Sequence, residues 1–74
     1  MTPLFFIRKR LLGVSQPVLA SIAGTTQSTV SRWERGELEP NRAEMARIRE
    51  AAIERGVEWS DRFFFEVPVR EVAA

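Results

Sequence analysis

Residues Ser15 to Gly36 read SQPVLASIAGTTQSTVSRWERG. The first half is apolar at Leu19, Ile22 and Ala23 and closes on Gly24; the second opens on hydroxyls and an amide and ends with a Trp among charges. On propensity alone the polar run is a loop, because Ser and Thr side chains compete with the helix for backbone hydrogen bonds. Its periodicity says otherwise. With Val30 set to 0° and about 100° per residue, Trp33 falls at about 300°. Ser31, Arg35, Ser28 and Arg32 fall at about 100°, about 140°, about 160° and about 200°. Two bulky apolar residues therefore oppose a face of small hydroxyls and arginines. This predicts a helix over Gln27–Arg35, capped by Thr26 and ended by Gly36. Such a short helix is unstable alone in water, so Val30 and Trp33 must dock on neighbours.

Working outward, Ser15 is a good N-cap, and Pro17 is tolerated in a first turn, where no donor is needed. A helix over Gln16–Ala23 follows. Two short helices then flank a turn that starts at Gly24, with Ala20 where they cross closely. That is a helix-turn-helix layout, although a generic small bundle with a glycine turn has the same spacing. Upstream, Pro3 to Leu12 fits a helix capped by Thr2, with Leu4, Ile7 and Leu11 on one stripe and Gly13 as its stop. Downstream, Asn41 and Glu44 make a capping-box pattern, and Met45, Ile48 and Ala52 recur at helical spacing until Gly56.

The chain has 74 residues, with no Cys and no His. One small core is all this length supports. Disulfides, zinc sites and Cys or Ser–His nucleophiles are excluded, and no convergent carboxylate pair is evident; we expect no enzyme and no cofactor. No apolar run is long enough to span a membrane. The start, MTPLFFIRKRLLG, puts apolar residues before cations, the reverse of a secretory signal, so a cytoplasmic protein is expected. The overall charge of +1 hides an asymmetry. Residues 1–36 carry five cations against Glu34 alone, a net +4, and residues 37–74 carry six arginines against nine acids, a net −3. The polar stretch lies in the cationic half.

The stretch SQPVLASIAGTTQSTVSRWERGELEPNRAEMARI resembles the helix-turn-helix domain of the phage repressor and Cro-like (XRE-type) family of DNA-binding proteins. The likeness covers about Leu4 to Ala52. It rests on Ser15-Gln16, Leu19-Ala20, Gly24, Val30-Ser31, Trp33-Glu34, Gly36 and Pro40, followed by Met45 and Ile48. It implies an all-α lambda repressor-like bundle of four to five helices whose second paired helix enters the DNA major groove. Three positions depart from the pattern. Thr25 replaces an aliphatic residue, and Glu37 puts an acid near the expected phosphate surface. The helix-1 cation four residues before the closing glycine falls on Lys9, unless one residue is inserted around Leu11-Leu12, which shifts the role to Arg8.

The resemblance implies roles. Gln27, Ser28, Ser31 and Arg32 face bases: Gln suits an adenine edge and Arg a guanine edge. Gln16, Thr26, Arg35 and Arg42 meet phosphate. Trp33 is core rather than a stacking platform, and Glu34, at the edge of the buried face, needs a cation, Lys9 or Arg8.

The end of the chain, VEWSDRFFFEVPVREVAA, is too apolar for a plain tail. Ser60 or Asp61 can cap a short fifth helix to about Phe65. Three adjacent Phe cannot all face one side. Either Trp59, Phe63, Phe64, Phe65, Val67 and Val69 close the core, or they form a homodimer face. We therefore expect a helix-turn-helix domain over residues 1–66 and an extended segment over 67–74 within a dimer interface. The expected function is sequence-specific binding of double-stranded DNA, most simply as a repressor without a small-molecule effector. The alternative is an antitoxin-like module that grips a partner protein through the aromatic segment.

Overall fold

A computed structural model describes residues 1–68. Among these residues the fold is all helical. Helix α1 (Pro3–Phe6) runs directly into a π-helical segment (Ile7–Leu12); α2 (Gln16–Ala23), α3 (Gln27–Glu34) and α4 (Arg42–Glu54) follow. A single 3₁₀ turn (Asp61–Phe64) takes the place of the expected fifth helix. Val69 and most of the expected 67–74 extended segment lie outside the described residues.

The expected caps act at three helices. The Ser15 and Thr26 hydroxyls accept from the Val18 and Thr29 amides at 3.3 and 3.2 Å. Asn41 and Glu44 form the reciprocal box, each side chain accepting from the other's amide at 2.8 and 2.7 Å. Thr2 differs. Its hydroxyl does not cap α1 but donates to the Glu34 carbonyl at 2.8 Å. One hydroxyl thus ties the start of the chain to the end of α3, where carbonyls lack intrahelical donors.

The π segment reconciles the first helix with its burial pattern. The Gly13 amide donates to the Arg8 carbonyl, five residues back, where an α-helix spans four. One residue is thereby inserted into the turn, and Leu4, Phe6, Ile7 and Arg8 are all buried while Leu11 and Leu12 are half-buried. Phe6, outside the expected stripe, is 1% exposed and meets Phe63 edge-on at 5.9 Å. The reason is tertiary: α1 packs against α3 on one side and the 3₁₀ turn on the other.

The core gathers Leu4, Phe6, Ile7, Leu19, Val30 and Ile48 around the small residues Ala20 and Ala23, with Trp33 and Phe64 closing it. Small side chains at the α2 crossing let backbones approach closely, and such close packing gives a small core its stability. The Trp33 indole Nε1 is enclosed without an acceptor among the described residues.

The three consecutive phenylalanines take three environments. Phe64 is buried, Phe63 is half-buried between Phe6 and Trp59, and Phe65 is 68% exposed. Trp59 packs edge-on against Phe63 and Phe64 at 5.4 and 5.2 Å. Trp59, Phe63, Phe64 and Val67 therefore pack on the core of this chain, the first of the two roles expected of the segment. A 3₁₀ turn distributes successive side chains about 120° apart, so only one of the three can point fully outward.

Candidate nucleic-acid interface

Helix α3 is held by its apolar side and by its end. Val30 is fully buried and Trp33 is 2% exposed, whereas Gln27, Ser28, Arg32 and Arg35 are exposed on the other side. Arg32 has no ion pair or side-chain hydrogen bond among the described residues. Ser31 is half-buried, and its hydroxyl accepts from Arg35 Nη1 at 2.7 Å.

The end of α3 is anchored by Glu34, whose side chain is 8% exposed and pairs with Arg8, 10% exposed. Arg8 Nε donates to Glu34 Oε2, and Arg8 Nη2 donates to Oε1 at 3.0 Å. Arg8 Nη1 donates to the Val14 carbonyl at 3.0 Å, and Gln16 Nε2 donates to Glu34 Oε1 at 3.0 Å. Both charges are thus hydrogen-bonded as well as paired, the condition under which a buried ion pair is tolerable. The cation is Arg8 and not Lys9, which is exposed. The π insertion is the physical cause, since counting five residues back from Gly13 reaches Arg8.

Lys9 instead walls an open cleft with Gly13, Ser15, Gln16, Pro17 and Gln27. Gln27 Nε2 donates to Gln16 Oε1 at 3.3 Å. A hydrogen-bonded chain therefore runs from Arg8 through Glu34 and Gln16 to Gln27, the first residue of α3. From sequence, Gln16 and Gln27 are separate contacts. Their spacing of eleven residues has no local periodicity to link them; only the fold brings them together.

The turn between α2 and α3 is held from α4. Gly24 has φ 76°, and the Gly24 and Thr25 amides both donate to the Ala20 carbonyl at 2.9 Å. Arg47 Nη1 donates to the Ala23 carbonyl at 2.7 Å. A cation at the carbonyl end of a helix also complements its dipole. A Cβ on Gly24 would lie 3.0 Å from Arg47 Nη1, so the guanidinium covers the turn. Nothing in the sequence singles out Arg47, one of six arginines in the acidic half.

The other expected phosphate contacts on this side are Arg35 and Arg42. Arg35 Nε donates to Glu37 Oε2 at 2.7 Å. Arg42 lines a groove with Met45, Arg49, Asp61, Phe64 and Phe65, beside the aromatic segment. The neighbouring groove is lined by Trp33, Leu38, Pro40, Met45 and Phe65, and Leu38 is 43% exposed. Among the described residues there is no acidic cluster fit for a metal ion and no helix long and apolar enough to cross a membrane.

Two short helices at a glycine turn, the second docked by its apolar side with its polar side exposed among the described residues, define a helix-turn-helix protein. Residues 6–52, more than half of the chain, match the helix-turn-helix family. The chain belongs to that family in its XRE, Cro and phage-repressor form, and it is a DNA-binding helix-turn-helix regulator. No curated protein and no solved structure matches the chain.

Proposed function

We propose that the protein binds double-stranded DNA sequence-specifically as a homodimer, with α3 in the major groove, and that it represses transcription in the cytoplasm by occupying a promoter. The observation that carries this reading is the two-sidedness of α3: Val30 and Trp33 are buried, and Gln27, Ser28 and Arg32 are exposed. Arg32 is free to pair with a guanine edge and Gln27 with an adenine edge. Ser28 and Ser31 are small enough to allow close approach, so part of the specificity rests on waters and DNA shape. The cleft beside Lys9 and Gln16 suits a backbone phosphate, as does the Thr26 hydroxyl at the start of α3.

One recognition helix makes few base contacts, and two on one operator multiply them. Phe65 and Leu38 are exposed apolar residues beside a common groove that includes Gly36 at the end of α3. Glu39 lines this groove, and Arg42 lines the neighbouring one that shares Met45, Phe64 and Phe65. The extents of 31 × 27 × 21 Å are comparable with the half-site spacing of about 34 Å. The 1–66 unit carries the DNA contacts, and the start of the 67–74 segment continues the dimer face.

Sequencing of DNA fragments bound by the protein from its own genome tests the reading. Recovery of a recurrent palindrome supports it. Equal recovery of all sequences, or loss of nothing on combined Arg32→Ala and Gln27→Ala with folding intact, overturns it. The exposed Phe65 also favours a second reading, an antitoxin-like module whose aromatic segment grips another protein. Light scattering decides: a dimer of the purified chain supports the first, and a monomer that associates only with a co-purified small protein supports the second.

A further inference from the structure

Arg35 stands at the end of α3 on the face that carries Arg32, yet every nitrogen of its guanidinium is already engaged. Nη1 donates to Ser31 Oγ at 2.7 Å, Nε donates to Glu37 Oε2 at 2.7 Å, and Nη2 donates to Glu37 Oε1 at 3.5 Å. Glu37 is held where it can do this by backbone. Its amide donates to the Arg32 carbonyl at 2.9 Å, across Gly36 at φ 76°. The pair is half-exposed, with side chains 56% and 54% accessible, so packing does not require it. Glu37 also lies within the field of Arg32.

We propose that Glu37 is an affinity-limiting acid that latches Arg35 onto α3 and withholds it from phosphate. The inference rests on the DNA-binding reading above. Non-specific DNA binding grows with each phosphate neutralised by a cation. A guanidinium shared with a carboxylate two residues away contributes less to that count. Engagement of a phosphate by Arg35 leaves Glu37 unpaired beside a polyanion. Sequence-independent binding is therefore weakened, while the base-facing side chains of Arg32 and Gln27 are left in place.

The test measures binding to a random-sequence duplex between 50 and 200 mM salt, with thermal melts alongside, for wild type, Glu37→Gln, Arg35→Ala and the double variant. Glu37→Gln is expected to steepen the log–log salt slope by about 0.9, equivalent to one added phosphate contact, and to bind several-fold tighter at the low-salt end. The slope lost on Arg35→Ala is expected to be greater by about 0.9 in the Glu37→Gln background than in wild type. Equal losses in the two backgrounds overturn the latch and leave Glu37 as a general repelling charge. A slope unmoved by Glu37→Gln also overturns it. In both cases wild-type binding persists and the DNA reading stands. Absence of duplex binding by folded wild type overturns the DNA reading itself and the latch with it.

Discussion

Arg8 and Glu34, twenty-six residues apart in the chain, meet in a two-pronged ion pair that links the first helical segment to the end of α3. Both side chains are about nine-tenths buried, and the Glu34 carboxylate also accepts from Gln16. Removing one partner of such a pair strands the other charge in a low-dielectric setting and destabilises by about 3–5 kcal/mol. Glu34→Ala is therefore expected to lower the melting temperature by more than about 10 °C, as follows for a domain of this size. The apolar double replacement, Arg8→Met with Glu34→Leu, is expected to recover most of the loss. A melting temperature for Glu34→Ala within about 1 °C of wild type contradicts this account.

Gly24 and Arg47 form a second coupled pair. An alanine at Gly24 meets left-handed backbone strain of about 1–2 kcal/mol, and its Cβ presses on the Arg47 guanidinium. Arg47→Ala removes a charge-assisted bond to the Ala23 carbonyl, a loss of about 1.5–3 kcal/mol. Urea titrations of the two single variants and the double are expected to be non-additive, because the contact penalty of the first disappears with the second. Strict additivity contradicts a direct contact.

Adjacent phenylalanines are expected to behave oppositely. Phe64→Ala, at a buried site, destabilises by about 3–5 kcal/mol. Phe65→Ser, at an exposed one, changes monomer stability by no more than about 0.5 kcal/mol but shifts sedimentation toward the monomer. A wild-type dimer that survives Phe65→Ser places the interface elsewhere.

Base contacts and phosphate contacts separate by salt dependence. Arg32→Ala is expected to weaken binding to the selected operator by about 1–3 kcal/mol while random duplex is less affected. Lys9→Gln, in the cleft with Gln16 and Gln27, is expected to weaken binding to all duplexes and to reduce the salt slope by about 0.9. Fluorescence anisotropy at several salt concentrations measures both. Identical profiles for the two variants remove the distinction.

Hydrogen bonding and the charge of Arg35, aided by Arg32, hold the Glu37 carboxyl below the usual carboxylate range. A depressed carboxylate adds stability that is present above its unfolded pKa and lost as pH falls through its folded one. The pair is exposed, so the effect on melting is small and the direct observable is titration. A carbon-detected NMR titration is expected to give Glu37 a midpoint below the unstructured-peptide value, and Arg35→Ala is expected to raise it. A midpoint unaffected by Arg35→Ala contradicts the pairing.

Much of the fold is legible in local chemistry. Ser15, Thr26 and the Asn41–Glu44 box start their helices as their hydrogen-bonding groups predict. The two-sidedness of α3 follows from the positions of Val30, Trp33 and Arg32 alone. Each of these signals operates within about one helical turn, where chain connectivity fixes the geometry.

Three results came only from tertiary structure. The π insertion chose Arg8 over Lys9 for Glu34, because a one-residue widening of a helix has no compositional mark and yields only when the buried carboxylate rewards it. Thr2 left its own helix to bond the Glu34 carbonyl, and Gln16 reached both Glu34 and Gln27. Phe63, Phe64 and Phe65 were divided among aromatic contact, core and solvent by the surfaces of α1 and α4. The sequence by itself determined where helices begin and which side of each is apolar, since those depend on neighbours along the chain. Which distant partners satisfy the remaining charges and carbonyls was decided by packing, since that depends on neighbours across it.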